Sequence, residues 1–335
     1  MSEVVTSLAP WLQRQLRELL NRPGHAWLLH GPPGLGQYEL ALALTQAWLC
    51  DHPTPDGACG TCPSCHGFAR HTHADLCVLM PETHALDLGW PLGDKAQQEI
   101  DDKKRKPSKD IKVEAAREMV TFTQKTRFGG QGQVVLIHPA DRMNPISANA
   151  LLKTLEEPPG ATRFVLTTDA VHLLLPTIRS RVLGHAMHMP PVAEAKAWLT
   201  QQGVPDTEVD ALWRASGGSP NWVLERFKSD GLTGQAWRQW PRQLAKGQPG
   251  LLDQLSVSEA LSCLQKLSHD LMAVALHASP QYFMADDLPK SPSAHLAAQW
   301  CQELHRVARH VEHPFNASLQ LQAWALRARQ AMRPE

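Results

Sequence analysis

Neither sign of charge dominates this chain: 33 Lys and Arg offset 33 Asp and Glu across 335 residues, for a formal net charge of zero. A surface-wide basic field for nucleic acid is thereby absent, and any contact with DNA has to be local or made by partners. Also missing is any uninterrupted apolar run near the roughly 20 residues that span a bilayer. The opening MSEVVTSLAP has neither a basic stretch nor an apolar core, so no secretory signal is expected and a cytoplasmic location is. Aromatic and basic residues do not interleave around the cysteines, which weighs against a stacking surface for nucleic acid.

What remains is ordinary for a soluble globular protein, 43% hydrophobic and 20% charged, at a length that suits two or three domains. Residues 9–20 carry an amphipathic helical pattern that stops near Pro23-Gly24. AWLLH at 26–30 is a short apolar run between turn residues, the pattern of a buried strand. Similar runs recur as ADLCVL (74–79), QVVLIH (133–138), RFVLTT (163–168) and VLGHAM (182–187). Helical segments lie between them, including 111–124 and 145–157. Strands alternating with helices predict a parallel sheet covered on both faces.

Pro190-Pro191 marks a boundary. Beyond it only helical periodicity remains, with small helices over 192–202, 206–215 and 220–228 and a Gly-, Pro- and Trp-rich linker with a short helix over 229–250. Ser256 and Glu259 fit a capping box at the start of a longer helix. Leu296, Trp300, Leu304 and Val307 mark another, and Leu319, Leu321, Trp324 and Ala325 a last one. The domains expected are an α/β domain over 1–189, a small helical lid over 190–230 and an all-α region over 231–335. The stretch 94–112, with seven basic and five acidic residues, reads as a solvated, partly disordered loop, with a DNA-contacting loop as the alternative.

Gly31-Pro32-Pro33-Gly34-Leu35-Gly36 has the glycine spacing of a phosphate-binding loop between strand and helix. A working loop continues with Lys, which reaches the β- and γ-phosphates, and then Ser or Thr, which binds magnesium. Gln37 and Tyr38 stand there instead. After the strand 133–138, where an Asp-Glu pair would bind magnesium and activate water, the chain has His138 and Pro139. Intrinsic ATP hydrolysis is therefore not expected, and the loop, Gly31, Gly34, Gly36, Gln37 and Tyr38, is expected to be empty of ATP.

Four of the seven cysteines fall in C-x8-C-x2-C-x2-C spacing: Cys50, Cys59, Cys62 and Cys65. In a reducing compartment such a cluster is a metal site rather than a disulfide framework. Four thiolates suit tetrahedral zinc, and a filled tetrahedron makes the ion structural. An iron–sulfur cluster is the rival, but the ferredoxin run continues to a fourth cysteine and proline, whereas His66 and Gly67 follow Cys65. His66, His71 and His73 are reserve ligands read as surface residues; Cys77, Cys263 and Cys301 read as core.

Taken together, HAWLLHGPPGLG leading to Cys50, the three-cysteine turn, NALLKTLEEPP at 149–159 and RFVLTTDAVHLLLPTIRSR at 163–181 resemble the clamp-loader branch of the AAA+ proteins. The match covers about residues 20–225, and the helical remainder fits the family's collar domain. The resemblance implies an AAA+ (RecA-like) domain with a zinc-binding insertion at 50–65, a lid and a collar. It implies membership of a DNA-directed DNA polymerase (nucleotidyltransferase) assembly, with gamma/tau ATPase subunits and a delta subunit as partners and the sliding clamp and primed DNA as indirect ones. Lacking the loop lysine, this chain would be a non-hydrolysing stator. The resemblance also gives Arg181, with Ser180, the role of a finger reaching a neighbour's γ-phosphate, although the motif's cysteine is Val182 here; Arg179 is the nearby competitor. Thr167 and Thr168 take the sensor-1 region, and Asn221 and Trp222 stand where active relatives place a sensor-2 arginine. Two other readings stay open: an active gamma/tau-type ATPase, and a zinc-dependent nucleic-acid-binding module.

Overall fold

The computed structural model describes residues 8–125, 131–229, 232–289, 293–308 and 316–333; the reading of the first seven residues lies outside them. The chain divides into two compact units, Met1–Met189 and Pro190–Glu335.

The first unit opens with α1 (Pro10–Leu20), β1 (Ala26–His30), α2 (Gln37–Leu49) and α3 (Pro63–Ala69). It continues through β2 (Leu76–Leu79), α4 (Glu82–Asp87), α5 (Asp94–Asp101), α6 (Val113–Thr123) and β3 (Val134–Ile137). It closes with α7 (Pro145–Glu156), β4 (Arg163–Thr168), α8 (Pro176–Arg179) and β5 (Leu183–Ala186). The five strands form one sheet in the order β2-β3-β4-β1-β5, and every pairing is parallel. β1 therefore sits inside the sheet, with Ala26 opposite Phe164 on one side and Trp27 opposite Leu183 on the other. Side chains alternate across a strand. Ala26, Leu28, Val135, Ile137, Phe164 and Leu166 share one core with residues of α6 and α7. Trp27, Leu29, Leu136 and Val165, equally buried, take the opposite face, where α2 packs on β1, β3 and β4. The apolar runs are buried from both sides, as a fully covered parallel sheet requires.

The expectation for one segment of this unit fails. Residues 94–112 are not a partly disordered loop. Asp94–Asp101 is helical, and the basic run behind it is tied down by Glu82. That carboxylate accepts from Arg105 at 2.9 Å, from Lys112 at 2.8 Å and from the Ser108 backbone N–H at 2.8 Å. Burial opposes its ionisation, but Arg105 and Lys112 win and hold it down at about 2.

The second unit is all helical among the described residues: α9 (Val192–Gln201), α10 (Asp206–Ser216), α11 (Pro220–Ser229), α12 (Gly234–Ala245), α13 (Val257–Ala275), α14 (Ala294–Ala308) and α15 (Ala317–Ala331). The linker expected at 229–250 is instead a core element. α12 runs through Pro241 and buries Trp237 and Trp240, which pack around Phe283; the Trp237 and Phe283 rings stack at 4.6 Å. Both indoles also find acceptors, Tyr282 O at 3.0 Å and Pro249 O at 3.1 Å, so the large apolar faces are buried without orphaning an N–H. The capping box at Ser256 and Glu259 forms. Leu319 is exposed rather than on the packed stripe of α15, which Trp324, Ala325 and Ala328 make. Cys263 is core, whereas Cys77 and Cys301 are half-buried.

Among the described residues, no helix is long and apolar enough to cross a membrane.

Candidate functional site

The two ends of α2 carry the two groups of residues singled out in the sequence. At its N-terminus, Gly36 is the cap in left-handed conformation, φ 95°, and a Cβ there would meet Leu12 Cδ1 of α1 at 2.6 Å. Only glycine fits both demands. Gln37 begins the helix. Its amide nitrogen donates to Gly31 O at 3.0 Å and Pro32 O at 2.7 Å, so its donors are directed to the loop's own carbonyls.

Tyr38 turns its ring onto His138, 4.5 Å between centroids, and its hydroxyl accepts from Trp90 Nε1 at 2.5 Å. His138 pairs through Nδ1 with Thr167 Oγ1 at 2.6 Å, and His84 meets it edge-on at 6.1 Å. Thr168 Oγ1 donates to Asp141 at 2.6 Å. The space between loop, β3 and β4 is thus lined by a continuous polar–aromatic chain, Trp90–Tyr38–His138–Thr167. Burial, with the nearby His84 adding to it, lowers His138 to about 4. Burial raises Tyr38 to about 12. Both are therefore neutral near pH 7. His138 and Thr167 were expected at this site from the sequence; Trp90 and His84, on the 82–92 segment, were not. Nothing local marks them, because their partners lie about 50 residues away in the chain.

At the C-terminal end of the same helix, Cys50 is the cap residue. Gly57 and Gly60, both at positive φ, turn the chain back so that Cys62 caps α3 and Cys65 falls in its first turn. The four Sγ atoms lie within 4.8 Å of one another, at 3.8 Å for Cys50–Cys62, 4.0 Å for Cys59–Cys65 and 3.6 Å for Cys50–Cys65. A tetrahedron with metal–sulfur bonds of about 2.3 Å has sulfur–sulfur edges near 3.8 Å, so the donor set fits zinc in number, element and spacing. Backbone N–H groups of Cys59 and Cys65 point at Cys50 and Cys62 sulfurs at 3.3 and 3.4 Å. Asp51 holds the hydroxyl of Ser64 at 2.7 Å, tying the two ends of the insertion.

Burial pushes the Cys50 and Cys65 thiols up, while the Thr61 N–H draws Cys59 down to about 6. A coordinated cation overrides such crowding and deprotonates its thiols outright. The histidines expected as surface residues divide. His66 is exposed. His71 stacks on Trp90 at 3.8 Å. His73, half-buried, is lowered by that burial and accepts the Asp75 N–H at 3.1 Å.

Arg181 lies just past α8. Its guanidinium reaches Glu156, the last residue of α7, at 2.7 and 2.9 Å, and Thr177 O at 3.0 Å. In the second unit, Trp222 lies in the face of two cations: Lys266 Nζ at 4.6 Å and the Arg226 guanidinium at 5.8 Å from its ring. Lys266 also donates to Ala215 O at 2.7 Å, and burial lowers it. Trp222 packs against two apolar clusters of this unit, one around Leu199 and Leu212, the other around Trp237 and Leu264.

A family model described as DNA polymerase III, delta subunit, matches residues 6–191. Among curated relatives, the DNA polymerase III subunit delta' of Pseudomonas aeruginosa is 35% identical over 263 residues, 77% of this chain and 71% of that one. The subunit delta' of Escherichia coli is 32% identical over 275 residues, 80% and 72% of the two chains. The DNA polymerase III subunit tau/gamma of Haemophilus influenzae is 28% identical over 313 residues, 91% of this chain and 39% of that one.

Proposed function

Because this chain belongs to the delta-prime family of DNA polymerase III subunits, we propose that it is the non-hydrolysing member of a clamp loader, a stator that lends an arginine to a neighbour's ATP site. The observation that carries this reading is the interior of the degenerate phosphate loop. Gln37 donates to loop carbonyls, and the Tyr38 ring and His138 close on each other where a hydroxyl and a carboxylate would hold magnesium. Gln37, where a lysine would stand, brings no positive charge to offset a triphosphate, and replacing one buried charged partner typically costs about 2–5 kcal/mol. Catalysis then belongs to the gamma/tau subunits, and this chain takes part in the DNA-directed DNA polymerase as a component of its loader.

In the same reading Arg181, with Ser180, acts in trans. A planar, permanently charged guanidinium suits a transferring phosphoryl group, and fingers of this kind contribute roughly 10³–10⁵ in rate. Cys50, Cys59, Cys62 and Cys65 hold one structural zinc; the ion stabilises the insertion and has no open position for substrate. Residues 190–230 serve as lid and 231–335 as collar, the delta subunit is a further partner, and the clamp and primed DNA are met through the assembly in the cytoplasm. Trp222, held between Lys266 and Arg226, takes the place of a nucleotide-sensing arginine.

The test is titration of the isolated chain with a fluorescent ATP analogue and magnesium. No saturable binding in the micromolar range is expected. Magnesium-dependent micromolar binding would restore the active-ATPase reading.

A further inference from the structure

Two motifs 25 residues apart in the chain meet at the guanidinium of Arg181. Glu156 ends α7, Arg181 follows α8, and the carboxylate faces one edge of the guanidinium, with Nε at 2.9 Å and Nη2 at 2.7 Å from the same oxygen, Oε2. Nη1 donates to Thr177 O at 3.0 Å. A guanidinium carries five N–H groups in a fixed planar fork. Glu156 takes the edge shared by Nε and Nη2. The end edge is shared by Nη1 and Nη2: Glu156 leaves the second N–H of Nη2 there, and Ser180 Oγ stands only at a long 3.4 Å from Nη1. With the weak Ser180 contact given up, that edge presents two parallel N–H groups, the pattern that donates to two oxygens of one phosphate.

We infer that Glu156 is a positioning residue for Arg181, locking the guanidinium by its side edge so that its end edge is presented to the terminal phosphate of a nucleotide on the adjacent subunit. This rests on the reading of Arg181 as a trans-acting finger. The chemistry sets two effects of Glu156 against each other. As a bare charge, a carboxylate beside an incoming phosphate repels it and slows the reaction. As an orienting partner, it fixes in advance a long side chain that otherwise loses its rotamer freedom during the reaction, and a preorganised donor is worth more in the transition state than a mobile one. The side chain of Arg181 is 28% exposed and that of Glu156 58%, so the pair sits at a surface. There the direct attraction is weak and orientation is the larger effect. Glu156 touches no substrate and acts only through Arg181.

The two effects have opposite signs, which makes them separable. In the complete reconstituted loader, steady-state hydrolysis across a range of ATP concentrations is measured for Glu156→Ala, Glu156→Gln, Arg181→Ala and the double variant. Arg181→Ala is expected to lower the rate at the adjacent site at least 100-fold. Glu156→Ala should lower it about 3- to 10-fold with the KM for ATP unchanged, Glu156→Gln should recover most of the loss because its amide oxygen still accepts, and the double variant should be no slower than Arg181→Ala alone. Loader assembly and thermal midpoint serve as the control for folding. A Glu156→Ala rate that is unchanged or faster, beside a crippled Arg181→Ala, overturns the positioning role while leaving the finger intact. An undiminished Arg181→Ala rate overturns the finger itself, and the role of Glu156 with it.

Discussion

The two ends of α2 have met opposite fates. At the N-terminal end, the groups that would face a ligand face one another: Gln37 the loop carbonyls, Tyr38 the His138 ring and the Trp90 indole, His138 the Thr167 hydroxyl. At the C-terminal end, four thiols crowd together at spacings no disulfide has and a metal tetrahedron does. On the reading proposed above, the first end no longer serves a ligand and its polar groups satisfy each other, whereas the second is kept for a metal and holds like groups at distances that only the ion makes favourable.

The largest effect that tests this contrast comes from the cysteine end. One zinc per chain is expected by elemental mass spectrometry. Its removal by a strong chelator, or Cys65→Ala, should lower stability by roughly 3–5 kcal/mol, about 10 °C in thermal midpoint for a unit of this size. A chain that carries no metal, or whose midpoint ignores chelation, would erase the difference between the two ends.

At the other end, acid provides the probe. His138 is neutral in the folded chain down to about 4, while in the unfolded chain it takes up a proton below its ordinary 6.5. Between those values the unfolded chain binds more protons, so stability falls as the pH drops from about 6.5 to 4, and this group adds nothing further below that. The total reaches roughly 3 kcal/mol. Urea midpoints across this range should fall less steeply for His138→Asn; an identical slope would mean that the ring is not held neutral by its neighbours.

The smallest effect belongs to Gln37→Lys. It exchanges two amide–carbonyl hydrogen bonds for ones from an ammonium, with a stability change expected within about 1 kcal/mol. Because Tyr38 and His138 still occupy the magnesium side, magnesium-ATP binding should remain undetectable by calorimetry. Tight binding by this single variant would show that the lost lysine alone had closed the site.

Much of the first unit was legible in the sequence because a buried parallel strand is a short apolar run between turns, and all five such runs became strands. The cysteine spacing was legible for the same local reason. What escaped depends on partners far along the chain. The basic run at 103–109 looks disordered until Glu82, more than 20 residues earlier, is seen to hold Arg105 and Lys112. The segment around Trp237 and Trp240 has the Gly and Pro content of a linker, yet its indoles are the centre of a core completed by Phe283. Glu156 is one of two adjacent glutamates in the sequence, and only the packing of α7 beside α8 brings it to Arg181.

The position of β1 has a consequence for how the chain is made. Ala26 waits for Phe164 and Trp27 for Leu183, so the strand leaves the ribosome well over a hundred residues before either neighbour exists. At roughly 5–20 residues per second, AWLLH stays unpaired on the order of 10 s, a long interval beside the microseconds in which a hairpin closes. The first unit is consequently an all-or-none product of synthesis. Its middle can be completed only when its last strand emerges, and a nascent chain halted before residue 183 carries this buried strand with an edge still unclaimed.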